Sequence, residues 1–148
     1  MAKIARLAQY SVALLLACSL VSLAAASEGT ATFYTRPYVP SACYGFEDHG
    51  IMIAAASETF WDDGGACGDL YDVKCLGGTN EGVPEPCIGN DAIRVMIVDL
   101  CPPGSCHGTI DLSSQVFAAI ADPDAGVIRV SYQRYLPVSL NVSTTSLP

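Results

Sequence analysis

Apolar positions along this 148-residue chain fall into short blocks separated by glycine, proline and acidic residues. The first block, Val12–Leu23, follows Lys3 and Arg6 and runs into Ala24-Ala25-Ala26. A basic start, a short apolar run and small residues form the layout of a secretory signal peptide, with cleavage expected after Ala26. A membrane span needs ~20 apolar residues, more than this run offers. Thr30–Thr35 is a β-prone stretch stopped by Arg36-Pro37. Ile51–Ala55 reads as a buried strand, although Ala54–Trp61 could also hold a helical turn; Gly64-Gly65 break it, and Ala66-Cys67-Gly68 begins a new segment. Leu76–Asn90, rich in Gly, Pro and Asn, reads as a loop pinned by Cys75 and Cys87.

Ile93–Leu100 is a near-continuous apolar run, the pattern of a strand buried on both faces. Helical spacing is clear in Asp111–Asp122, where Leu112, Val116, Phe117 and Ile120 share one face. Asp111 or Ser113 is the natural N-cap, and Pro123 ends the helix at Asp122. Asp124-Ala125-Gly126 makes a turn, and the alternating Val127–Leu136 should be the closing strand. Several short strands with one or two short helices predict a mainly β fold, a small barrel. The expected organisation is a leader over 1–26, one domain over 27–136 and a polar, flexible tail over 137–148. The tail carries Asn141-Val142-Ser143, a candidate glycosylation site in a secreted chain.

Charge narrows the partners. Without the leader the chain keeps 122 residues, five basic side chains and all fifteen acids, a formal charge near −10. Such a surface repels phosphate backbones and anionic membranes, so neither nucleic-acid binding nor membrane insertion is expected. Cys18 leaves with the leader, and six cysteines remain: Cys43, Cys67, Cys75, Cys87, Cys101 and Cys106. In a small secreted chain an even number reads as three disulfides, with fifteen connectivities open. Cys101, Cys106 and His107 cluster, but no second Cys/His pair has zinc-ligand spacing, so neither metal nor cofactor is expected.

Asp99 and Asp111 carry the chemical interest. They flank the Cys101–Cys106 loop, and paired carboxyls separated by ~5–9.5 Å are the machinery of glycoside hydrolysis. The competing reading is structural: Asp111 caps a helix and Asp99 ends a strand before Pro102-Pro103. Thr32, Phe33, Tyr34, Tyr38 and Tyr44 could line a sugar groove or alternate in and out of a sheet. Trp61 reads as core packing beside Phe60, and His49 and His107 as solvated loop residues. No nucleophile elbow, phosphate loop or dinucleotide fingerprint is present.

One ordered set of motifs spans nearly all of Gly29–Tyr135. It comprises A-T-F-Y at Ala31–Tyr34, S-A-C-Y-G at Ser41–Gly45, G-A-C-G at Gly65–Gly68, then Cys75 and Cys87. V-D-x-C follows at Val98–Cys101, with Cys106, T-I-D-L-S at Thr109–Ser113, and Ile120-Ala121 with Asp124-Ala125-Gly126. The set resembles expansin-like, endoglucanase-45-like domains, and among them the plant natriuretic peptides. The resemblance implies a six-stranded double-psi β-barrel with one or two short helices. We expect its three disulfides to pair neighbours in order, Cys43–Cys67, Cys75–Cys87 and Cys101–Cys106.

In that family Asp111 is similar to the catalytic acid of related hydrolases, with Asp99 and Thr32 at matching places. Those hydrolases also use an aspartate just after the first strand, where this chain has Thr35-Arg36-Pro37-Tyr38. Catalysis is therefore not expected. Full expansins carry a sugar-binding module after the barrel; this chain ends about a dozen residues past its last expected strand, so wall loosening by that route is not expected either. The resemblance implies a secreted monomer of the apoplast acting in water and ion homeostasis and stress signalling, its cell-surface receptor engaged through Cys43–Cys67. The alternative is a non-hydrolytic binder of cell-wall polysaccharide whose groove is Thr32, Tyr34, Asp99 and Asp111.

Overall fold

Six short strands close on one another into a barrel in the computed structural model, which describes residues 26–79 and 83–137. They are β1 (Ser27–Tyr34), β2 (Ile53–Ala56), β3 (Leu70–Gly78), β4 (Ile93–Leu100), β5 (Ile110–Ser113) and β6 (Ile128–Arg134). Around the barrel the order is β1-β5-β2-β4-β3-β6. The pairs β1·β5 and β2·β4 are parallel and the others antiparallel. Two short helices, α1 (Glu58–Trp61) and α2 (Ser114–Ile120), close opposite ends. Closure leaves no open sheet edge to template aggregation.

Alternation along each strand sorts side chains between interior and exterior. Ala31, Ala54, Ala56, Val73, Val95, Ile97, Ile110, Leu112, Ile128 and Val130 meet inside, with Val116, Phe117 and Ile120 of α2. Phe33 lies 4.7 Å, ring to ring, from Phe117. At the other end Phe60 packs 4.9 Å from Tyr71 and 5.5 Å from Tyr132. Trp61 is half-buried against the same core. A second, outer cluster of Tyr38, Ile53 and Val98, with Tyr34, Tyr44 and Met96 around it, covers the outside of β2 and β4. The continuous apolar run in β4 is thereby explained, because both of its faces are buried.

Three sequence expectations shift. The helix begins at Ser114, and Asp111 lies in strand β5. The cap is Ser113, whose Oγ accepts from Val116 N–H at 3.2 Å and donates to Ile51 O at 2.5 Å. Asp111 cannot cap because its backbone pairs with Thr32 on one side and Ala55 on the other. The helix stops at Ile120, and Pro123–Ala125 forms a separate 3-10 turn. Leu76–Gly78 belong to β3, where pairing with β6 through a bulge overrides two glycines. The closing strand is β6, as expected.

The disulfides join neighbours in order: Cys43–Cys67, Cys75–Cys87 and Cys101–Cys106, with Cα separations of 5.6, 5.6 and 5.3 Å. The first holds the 41–50 segment on the barrel, helped by Cys43 N–H donating to Val98 O at 3.0 Å. Gly68 (φ +81°) lets the following turn approach: a Cβ there would stand 2.8 Å from Tyr44 Oη. The expected leader, except Ala26, and the expected tail with Asn141, except Pro137, lie outside the described residues. No helix among the described residues is long and apolar enough to cross a membrane.

Candidate functional site

Strand register assembles the four residues suspected from sequence. Thr32 on β1 pairs with Asp111 on β5, Asp111 pairs with Ala55 on β2, and Ala55 pairs with Asp99 on β4. One transverse row thus crosses four strands. Its members face outward, since Ala31, Ala54, Ala56, Ile110 and Leu112 beside them face in. Strict alternation would turn Asp99 inward, next to outward Val98. A bulge skips Val98, so Ala54 pairs with Ile97 and Ala55 with Asp99. The extra residue re-aims Asp99 onto the outer face. Ala55, which is buried, places only a methyl group between the two acids.

Hydrogen bonding treats the acids differently. Thr32 Oγ1 donates to Asp111 Oδ1 at 2.7 Å. The Asp111 Oδ2 atom lies 3.8 Å from Cys101 Sγ, which as a disulfide sulfur has no proton to give. Burial raises the Asp111 pKa, and the Thr32 hydrogen bond opposes part of that rise. Asp99 Oδ1 instead accepts from Ala42 N–H at 2.8 Å and from Leu100 N–H at 2.9 Å. It ties the 41–50 segment to β4.

Tyr34 stands two residues beyond Thr32, on the same face of β1. Its buried hydroxyl has no hydrogen-bond partner. Burial, then the charges of Asp99 and Asp111, push its pKa above the ordinary tyrosine range, so the hydroxyl stays protonated as a donor. Tyr38 packs against it edge-on at 5.1 Å. The Tyr38 hydroxyl donates to Gln115 Oε1 at 2.5 Å and accepts from Ser114 N–H at 3.2 Å, locking the β1 exit onto α2. The site therefore holds a raised-pKa carboxyl, a free phenolic donor and a hydroxyl acceptor, chemistry suited to neutral polar ligands rich in hydroxyl groups. No cluster of three or more metal-ligating side chains exists among the described residues.

Comparison with known proteins places this geometry. A family model described as lytic transglycolase matches residues 53–132. An EG45-like domain containing protein of Citrus jambhiri is 55% identical over 117 residues, covering 79% of this chain and 88% of that one. The chain belongs to the EG45-like, double-psi β-barrel family. The domain is expansin-like: Expansin-B4 of Arabidopsis thaliana is 32% identical over 138 residues, and the match covers 79% of this chain but 51% of that expansin. A Clavibacter michiganensis expansin, crystallised as a variant with cellohexaose, superposes with a TM-score of 0.56 at 25% identity, covering 76% of this chain and 51% of that one.

Thr32, Tyr34, Asp99 and Asp111 are thus one constellation, while His107 is exposed and apart. His49 departs from expectation: it is half-buried, stacked 4.1 Å from Tyr44, with Nε2 3.4 Å from Glu47 Oε1 but not aligned to bond. Ala55 lies between the two acids in the row, a position that an alanine in an apolar run does not signal in sequence.

Proposed function

We propose that this protein is a secreted, non-hydrolytic, expansin-like binder of cell-wall polysaccharide, with Thr32, Tyr34, Asp99 and Asp111 forming its groove. The observation that carries the reading is the transverse row of outward polar groups with the unpartnered Tyr34 hydroxyl beside it. Once a small side-chain movement uncovers it, the unpartnered Tyr34 phenol gains a hydrogen bond by donating to an arriving sugar hydroxyl. The leader pattern, the three disulfides and the expansin relatives support an extracellular, apoplastic location. Catalysis is left out because residues 35–38, where related hydrolases hold an aspartate, carry no acid, and Asp99 Oδ1 is occupied by two backbone N–H groups. The monomer expected from sequence fits a groove complete within one chain.

Pull-down on insoluble cellulose and xyloglucan tests the reading. Wild-type protein should bind, and Asp111→Ala or Tyr34→Ala should reduce binding about tenfold, the worth of one or two hydrogen bonds. Binding unchanged in both variants would remove the groove as its cause. Reducing-end release that disappears in Asp111→Asn would restore an enzymatic role.

A second reading, a signal in water and ion homeostasis and stress acting through a cell-surface receptor, rests on a separate observation. Between Cys43 and Cys67 the chain exposes Phe46 at 82%, Met52 at 44% and Ile51 at 38%. Apolar side chains held outward by a disulfide-stapled segment suit protein contact. Purified protein applied to plant protoplasts should change their volume, and Phe46→Ala should abolish the response; no response at any dose counts against it.

A further inference from the structure

A cavity of about 380 Å³ opens where β1 leaves the barrel, lined by Arg36, Pro37, Tyr38, Val39 and Asp48. It adjoins the groove through Tyr38, which packs against Tyr34. Arg36 holds its guanidinium 5.3 Å from the centre of the Tyr38 ring. Arg94 and Arg134 are ion-paired to Asp72 and Asp69, whereas Arg36 makes no ion pair among the described residues. In the same lining Asp48 Oδ1 accepts from Gly50 N–H at 2.8 Å, which holds the carboxylate.

We propose that this cavity is an end subsite taking one neutral pyranose unit of a glycan lying in the groove, with Arg36 donating to and Asp48 accepting from neighbouring ring hydroxyls. The inference rests on the polysaccharide reading and deepens it. A guanidinium donor and a held carboxylate acceptor lining one cavity suit the hydroxyl groups of a sugar ring. Asp48 opposes a uronate carboxylate there, and Arg36 opposes a cation, so the cavity selects a neutral unit. Tyr38 is anchored on α2 by its hydroxyl, so the wall beneath Arg36 is rigid. Rigid positioning lowers the ordering cost of binding.

Calorimetry with cellotriose, cellotetraose and cellohexaose tests it on the full chain, with oligogalacturonate of matching length as the charged probe. Wild-type affinity should rise with length, and the hexaose should bind about tenfold more tightly than the triose, the increment of one well-hydrogen-bonded unit. Arg36→Ala and Asp48→Asn should each flatten that rise while leaving triose binding unchanged. The double variant should lose no more than the worse single, as expected for one shared ligand unit. An unaltered length dependence in both variants, while Asp111→Ala and Tyr34→Ala still weaken binding about tenfold, would overturn the subsite and leave the groove. Tighter binding of the oligogalacturonate that Arg36→Ala abolishes would also overturn it. Wild-type protein that binds no oligosaccharide would remove groove and subsite together.

Discussion

On the β3 and β6 side of the barrel Asp72 holds Arg94 in a two-pronged pair at 2.8 Å, and Asp69 holds Arg134. Arg94 also lies 3.4 Å over the Tyr135 ring. Across the β1-β5-β2-β4 face, Asp111 and Asp99 have only a hydroxyl and backbone N–H groups as donors. The first arrangement is complete in itself and asks nothing of a ligand. The second leaves a half-buried carboxyl with raised pKa and a buried phenol without a hydrogen-bond partner, so its polar groups are not fully bonded within the fold. Similar side chains are paired by charge on one side and left without a counter-charge on the other, and burial makes the difference.

If that contrast is right, the fold should depend more on the Cys75–Cys87 staple of β3 than on the Cys101–Cys106 staple at the groove edge. Cys75–Cys87 closes a ring of sequence separation 12, and Cys101–Cys106 one of 5. Chain-entropy reasoning gives ~3 kcal/mol for the longer ring and ~2 kcal/mol for the shorter. Urea unfolding of the two Cys→Ser double variants should rank them in that order. The reverse order would mean the groove edge carries more of the fold than its short staple suggests.

Tyr34→Phe comes next in size and should act with opposite signs on stability and binding. Removing a buried hydroxyl that has no partner relieves a desolvation penalty, so the variant should be about 1 kcal/mol more stable than wild type. Its glycan affinity should nevertheless fall severalfold. A variant that is destabilised would show that the hydroxyl is already bonded in the free protein.

Much of this was readable from the chain because the informative signals were local. Ile93–Leu100 announced a strand with both faces covered, and the six cysteines announced three staples. Val116, Phe117 and Ile120 marked a helix. The misreadings share one cause. Ile110–Ser113 carries its apolar residues at positions that continue the helical stripe, and only pairing with β1 and β2 makes it a strand. Leu70–Gly78 contains two glycines and a charged pair, so its strand character comes from β4 and β6 rather than from its own residues. At the site, residue types flagged Asp99, Asp111, Thr32 and Tyr34. What brought Asp99 into line with the others was the bulge at Val98, a tertiary event with no local sequence mark. Arg36 and Asp48 are twelve positions apart, and only the fold brings them to one cavity.

The smallest expected effect separates the two carboxylate classes most directly, through the sign of a pH dependence. Burial raises the pKa of Asp111 in the fold above its ordinary 3.8. Between those two values the folded chain holds a proton that the unfolded chain has released, so this group's contribution to stability is present below the window and lost as pH rises through it. The Arg94 hydrogen bond lowers the pKa of Asp72, so its contribution is present above 3.8 and lost as pH falls through the lower, folded value. At pH 7, Asp111→Asn should therefore unfold at a higher urea concentration than wild type, and Asp72→Asn at a lower one. The Asp72 effect should be the weaker, because that pair is exposed and screened by salt. Below the folded pKa of Asp72 both differences should vanish, since all the carboxyls concerned are then protonated in both states. Unfolding midpoints for the three proteins from pH 2 to pH 7 give the comparison. Two substitutions shifting stability in the same direction at pH 7 would show that the groove acid, like the surface one, is already satisfied without a ligand.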